Sequence, residues 1–292
     1  MSRARQQIFR ERRQYNQWVN NQTLEDYALR FTAKSSRRWS LSRVANTALG
    51  AISFLVLEAI GGAITINYGF DNALIATLLV GTLIFLVGIP ICYYAAKYGV
   101  DIDLLTRGAG FGYIGSTITS LIYASFTFIF FALEAAIMAL AIELLFNIPL
   151  SIGYIICSIV IIPLVTHGIT LISRFQLWTQ PLWVVLQILP FAFIIYSDAS
   201  TIDNWQEFSG LNNDHPEKVS LIYIGASAAV LFALITQIGE QVDFLRFLPE
   251  KNKKNKIKWW FSLICAGPGW VCLLYTSPSP RDLSTSRKPS YA

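Results

Sequence analysis

The sequence predicts an all-α integral membrane protein, and three observations carry that prediction. Hydrophobic residues make up 54% of the chain and charged residues only 14%, against roughly 25% charged in a typical soluble domain. Six apolar stretches, at about 44–68, 73–96, 116–146, 149–168, 176–197 and 219–241, are each long enough to cross a core that needs roughly 20 helical residues. The basic residues keep to alternate loops: of 23 Lys and Arg, ten lie in residues 1–43, two in 97–107, one at Arg174 and six in 246–258. Period-two alternation is absent from the apolar stretches, which argues against a β-barrel and for helices that satisfy their own backbone.

The intervening loops at 67–72, 147–149 and 198–218 carry Asp71, Asp198, Asp203, Glu207, Asp214 and Glu217 against the single Lys218. Every basic loop therefore falls on one side, and the positive-inside rule predicts a multi-pass protein of the plasma (inner) membrane with a cytoplasmic N-terminus. The net charge of +5 reports this topology, so nucleic acid is not expected as a partner. A seven-helix receptor, with its N-terminus outside, does not fit the pattern. No short charged patch followed by a brief apolar core opens the chain, so no signal peptide is read there.

Residues 1–42 read as a cytoplasmic segment of mixed charged and aromatic residues. Thr23 and Asp26 fit a weak capping-box start for a short helix through Leu24, Tyr27, Ala28 and Phe31, lying along the membrane surface or belonging to a solvated tether. The first apolar stretch holds Glu58, Gly61, Gly62 and Thr65 at offsets 0, 3, 4 and 7, hence on one helix face. Paired glycines there allow either close helix approach or a break that exposes backbone to a solute or ion. Residues 97–115, with two acids, one Arg and several glycines, read as a connection between the second and third helices. Its glycines lack the strand-then-helix context of a dinucleotide site, so phosphate binding is not expected.

The third stretch aligns Ser116, Tyr123, Thr127 and Glu134, whose offsets of 7, 11 and 18 return to nearly the same direction. Phe130 lies one turn from Glu134, where it either stacks on a flat ligand or simply packs; spacing alone favours packing. The sixth stretch ends in Thr236, Gln237, Gly239, Glu240 and Gln241. Glu240 sits near the membrane boundary and ranks below Glu58 and Glu134, and Glu143 is read as snorkelling outward. A carboxylate in hydrocarbon is costly and survives only where it meets a polar interior, a partner or water. No Lys or Arg lies within the six stretches, so Glu58 and Glu134 are expected to be protonated or to meet a cation, a ligand donor or other helices.

Cys92, Cys157, Cys265 and Cys272 form no CxxC pair and have no His at ligand spacing. They read as packing residues, with neither a disulfide framework nor a metal site. A seventh helix begins near Trp259 and is cut short. From Cys272 the composition turns abruptly to Ser, Pro and Arg, and CLLYTSPSPRD is similar to the translation of an adapter used in DNA library preparation. The expectation is that residues 272–292 are read-through fused to a truncated gene, and that residues 43–271 form the membrane domain.

The runs ALGAISFLVLEAIGGAIT, TRGAGFGYIGS, FIFFALEA and QVDFLRFLPE together resemble the nucleobase:cation symporter-1 family, which includes cytosine and hydantoin permeases. The likeness covers about residues 23–271, and its most specific element is Asp243-Phe244-Leu245-Arg246-Phe247 after the sixth helix. It implies a LeuT-type fold of two inverted five-helix repeats, here truncated after about six and a half helices, with solute held at breaks in the first and sixth helices. It also implies secondary active transport of a nucleobase-like or related small nitrogenous solute, with Na+ or H+ as coupling ion and no enzymatic activity. Where the family places a Trp-Phe-Gly run and a polar residue in its third helix, this chain has Phe130-Phe131-Ala132 and Glu134. The sixth-helix stacking Trp falls near Leu234. The expected solute site is Glu58, Gly61, Gly62, Thr127, Phe130, Glu134 and Gln237. Such regions also resemble input domains of some bacterial membrane sensor kinases, which implies a C-terminal signalling domain as the alternative.

Overall fold

The computed structural model describes residues 31–32, 34, 37, 39–50, 55–166, 168–198, 200–211 and 219–269. The Leu24, Tyr27 and Ala28 part of the expected surface helix, the charges Asp214, Glu217 and Lys218, and the tail 272–292 lie outside them, and Phe31, expected at the end of that helix, instead forms an antiparallel bridge with Val100.

Among the described residues the regular structure is helical apart from one isolated antiparallel bridge, Phe31 with Val100. We number the helices α1 (Leu41–Gly50), α2 (Leu55–Tyr68), α3 (Phe70–Tyr98), α4 (Ile102–Thr106), α5 (Gly112–Phe146), α6 (Leu150–Thr166), α7 (Gly168–Ser197), α8 (Ser200–Gln206), α9 (Leu221–Phe232), α10 (Ile238–Leu245) and α11 (Lys256–Ala266). Among the described residues four segments are long and apolar enough to cross a membrane: Phe70–Tyr98, Ile102–Phe146, Leu171–Ser197 and Leu221–Leu245. The pair α1 and α2 makes a fifth if it is one span. The fourth predicted stretch becomes α6, whose 17 residues reach about 25 Å, short of a core of roughly 30 Å.

Two spans are interrupted. Helices α1 and α2 are bent 52° from one another, whereas Gly61 and Gly62 lie within the continuous α2. The glycine pair therefore makes no break, and the bend falls upstream of Glu58. In the sixth span, α9 passes into a 3-10 stretch, Ala233–Gln237, before α10 resumes. Such a mid-helix tightening is a common mark of a functional hinge.

The connection read at residues 97–115 is itself largely helical. Asp101 caps α4 by accepting from the Leu104 N–H at 2.9 Å, and a π-helical turn, Arg107–Phe111, carries the chain into α5 through a kink at Gly110 with φ 111°. A side-chain network holds this corner in helical form. Arg107 Nη2 donates to Asp103 Oδ2 at 2.9 Å, Ser120 Oγ donates to Asp103 Oδ1 at 3.1 Å, and Arg107 Nε donates to Ser116 Oγ at 3.3 Å.

The main core lies where α3 meets its neighbours. Helix α9 packs along α3, α10 joins it, and α11 closes on α1. Val44, Ala76, Val80, Ile84, Cys92, Val242, Leu245, Leu248 and Leu263 are buried there. Cys157 is buried with Ala135 and Ala139 between α5 and α6, which fits the packing role read for it and for Cys92. The outer faces of α5, α6 and α7 expose large apolar side chains such as Phe128, Ile159 and Leu186, as lipid-facing helices do.

Candidate functional site

The site is built around the bend in the first span. A helix that starts inside a membrane leaves its first N–H groups without intrahelical partners, and no water is at hand to take them. At the start of α2 the Val56 N–H is taken by Glu134, which reaches across from α5 with Oε1 at 3.0 Å. Glu58, in the first turn of α2, accepts a hydrogen bond at Oε1 from Gln187 Nε2 on α7. Glu58 and Glu134 are both half-buried and close enough to interact through charge. The positive end of the α2 dipole favours carboxylates at this spot. This is how the apolar stretches keep two acids without Lys or Arg: one partner is a backbone N–H and the other a side-chain amide.

Helix α7 flanks both halves of the bent span. Gln176 packs so tightly on Gly50 that a Cβ at that glycine would lie 2.7 Å from the glutamine side chain. Eleven residues later, about 16 Å along the helix, Gln187 meets Glu58. Beside Gln176 a void of about 20 Å³ is lined by Leu49, Gly50, Thr179, Gln180 and Trp183. That is room for one water, and Gln176 Oε1 has no hydrogen-bond partner among the described residues.

Helix α5 reaches the other interrupted span as well. Tyr123 lies against Gly239 at the start of α10, where a Cβ would approach its ring to 2.8 Å. Only glycine admits the ring at that distance without a shift. One helix thus touches the sixth span through Tyr123 and the first through Glu134.

The structure divides the polar stripe read along α5. Ser116 belongs to the Asp103–Arg107 corner, Tyr123 to the α10 junction and Glu134 to the bend. Thr127 is exposed and donates its hydroxyl hydrogen to the Tyr123 carbonyl at 2.7 Å, so it is spent on its own helix. Phe130 packs on Phe126, ring centroids 4.4 Å apart and tilted by 37°, and joins the main core. Gly61 accepts a back-bond from Thr65 Oγ1 at 2.9 Å, and Gly62 is buried. Gln237 is buried at the end of the 3-10 stretch, as is Leu234 within it. Glu240 is half-buried.

Gln187 was not among the expected site residues. Gln176, Gln180 and Gln187 stand at offsets 0, 4 and 11, close to one helix face. That amide row in an apolar stretch is the signal that marks it. Among the described residues no group of three or more His, Cys, Asp or Glu side chains could hold a metal ion. The chain matches no protein-family model, no curated protein and no solved structure.

Proposed function

We propose that this chain is part of a secondary active transporter of the LeuT-type, inverted-repeat class, and that it binds a nucleobase-like or related small nitrogenous solute. The observation that supports this most is the Glu134 to Val56 hydrogen bond at 3.0 Å. Polar backbone at membrane depth persists only where protein covers it or where it lines a cavity, and transporters use such half-helix ends to hold solutes. The 3-10 interruption of the sixth span and the family resemblance of QVDFLRFLPE point the same way. In this reading Glu134 and Glu58 accept hydrogen bonds from solute N–H groups, exchanging Val56 and Gln187 for the ligand. Phe130 supplies the aromatic wall, and Na+ or H+ entry accompanies the solute.

Equilibrium binding of tritiated cytosine, uracil and hydantoin to the purified chain in nanodiscs tests it. Saturable binding of at least one probe is expected, weakened about 10- to 100-fold by Glu134→Gln, the size of losing a charged hydrogen-bond partner. Absence of saturable binding to every probe, or an unchanged affinity in Glu134→Gln, overturns the reading.

A further inference from the structure

A second site lies at the far end of α3, apart from the bend. A cavity of about 180 Å³ is lined by Arg37, Tyr93, Ala96, Lys97, Glu250, Lys251 and Trp259, room for several waters or a small polar group. Three basic side chains from three distant segments line it: the chain ahead of α1, the last turn of α3 and the connection from α10 to α11.

The cations are held in different ways. Arg37 is buried, 8% exposed, and is anchored by donating from Nη1 to the Ala96 carbonyl at 2.9 Å and from Nε to the Thr32 carbonyl at 3.2 Å. Lys97 and Lys251 are exposed and rest on aromatic rings. The Lys251 ammonium is 5.2 Å from the ring centroids of Tyr93, Trp259 and Trp260, and the Lys97 ammonium is 5.1 Å from that of Tyr98. Neither lysine forms an ion pair with a carboxylate among the described residues. Glu250, the acid of the lining, is already engaged by Lys34 at 2.5 Å. The cavity is therefore electropositive. Burial holds the Arg37 guanidinium below its usual value, with Glu250 only partly offsetting the shift, as expected where a cation has too little negative charge around it.

Its depth is marked by the aromatics. Tyr93 stacks on Trp260 with centroids 5.5 Å apart at 10°, Trp259 meets Trp260 edge-on at 5.5 Å, and the Trp259 indole N–H donates to the Pro249 carbonyl at 2.8 Å. Tyr and Trp gather at the level of lipid headgroups, and Lys97 closes α3 while Lys256 opens α11. Basic pockets between helices at that level suit anionic headgroups, and each nearby lysine contributes about fivefold to binding at a charged lipid surface.

We propose that this cavity binds the phosphate headgroup of an anionic membrane phospholipid, with Lys97 and Lys251 on the phosphate and Arg37 at the rear wall. Native mass spectrometry of the full chain released from detergent, titrated with phosphatidylglycerol, phosphatidylcholine or sodium phosphate, tests it. Preferential retention of phosphatidylglycerol is expected, weakened about 30-fold in the Lys97→Gln/Lys251→Gln double variant and little changed in Lys253→Gln/Lys254→Gln, which alters lysines outside the lining. Three results would each overturn the proposal. They are equal retention of the two lipids, equal weakening by the two double variants, and displacement of the lipid by inorganic phosphate at the concentration where phosphate itself saturates.

Discussion

At the scale of single residues, four acids among the described residues are explained by what they meet. Glu134 accepts from the Val56 N–H of α2, Glu58 accepts from the Gln187 side-chain amide, and Asp103 is closed in by Arg107 and Ser120. Asp198, just past α7, is the exposed counterpart. The Ser200 hydroxyl at 2.6 Å, together with the Ser200 N–H at 3.0 Å, holds its carboxyl below the ordinary value. A depressed carboxylate stabilises the fold above its unfolded pKa of about 3.9, and that contribution is lost as pH falls through the folded value. The start of α8 is thus expected to fray only under acid conditions. Removing the hydroxyl in Ser200→Ala should raise the Asp198 midpoint toward 3.9, as read from its carboxyl carbon shift during a pH titration. An unmoved midpoint would mean that Ser200 does not set it.

At the scale of elements, the interruptions matter more than the spans. The contact of Tyr123 with Gly239 ties α5 to the restart of the sixth span at a distance that any added Cβ would force to relax. Gly239→Ala is expected to destabilise the protein by about 1–3 kcal/mol through overpacking. Most of that penalty should disappear when Tyr123→Ala is already present, which a double-mutant cycle of unfolding in detergent would register as coupling. Additive effects would show that the two residues do not press on each other. The apolar stretches were legible because length and hydropathy suffice for them. The corner at 97–115 was not: Gly108, Gly110 and Gly112 suggest a loop, while the Asp103 network that keeps it helical joins residues up to 17 positions apart. The bend was not legible either, since the paired glycines allowed a break at Gly61 and Gly62, whereas the bend lies about two turns or more upstream, between Gly50 and Leu55.

At the scale of the whole molecule, segments that the charge pattern assigned to one side do meet at one end. Phe31 pairs with Val100, Lys34 with Glu250, Arg37 with Ala96, and Trp39 stacks on Phe247 at 4.8 Å. Three of the basic segments read from the sequence therefore converge at one end of the described chain. The candidate site was legible in part, and for a physical reason. Glu58 and Glu134 stand out because charge in hydrocarbon is costly wherever it occurs, so two letters suffice to flag them. Gln187 carries no charge, and its meeting with Glu58 spans 129 residues, so only the fold reveals it. Thr127 shared the stripe with Glu134, yet its hydroxyl turned back to its own helix, as threonine in a helix readily does.

The central claim is that Glu134 holds the open end of α2 and yields it to a solute. The most direct measurement is the Val56 amide resonance of valine-labelled protein in nanodiscs, recorded with and without saturating cytosine and again in Glu134→Gln. The account predicts a hydrogen-bonded, slowly exchanging amide that shifts both on adding cytosine and on replacing the carboxylate. A Val56 resonance indifferent to both changes would contradict it.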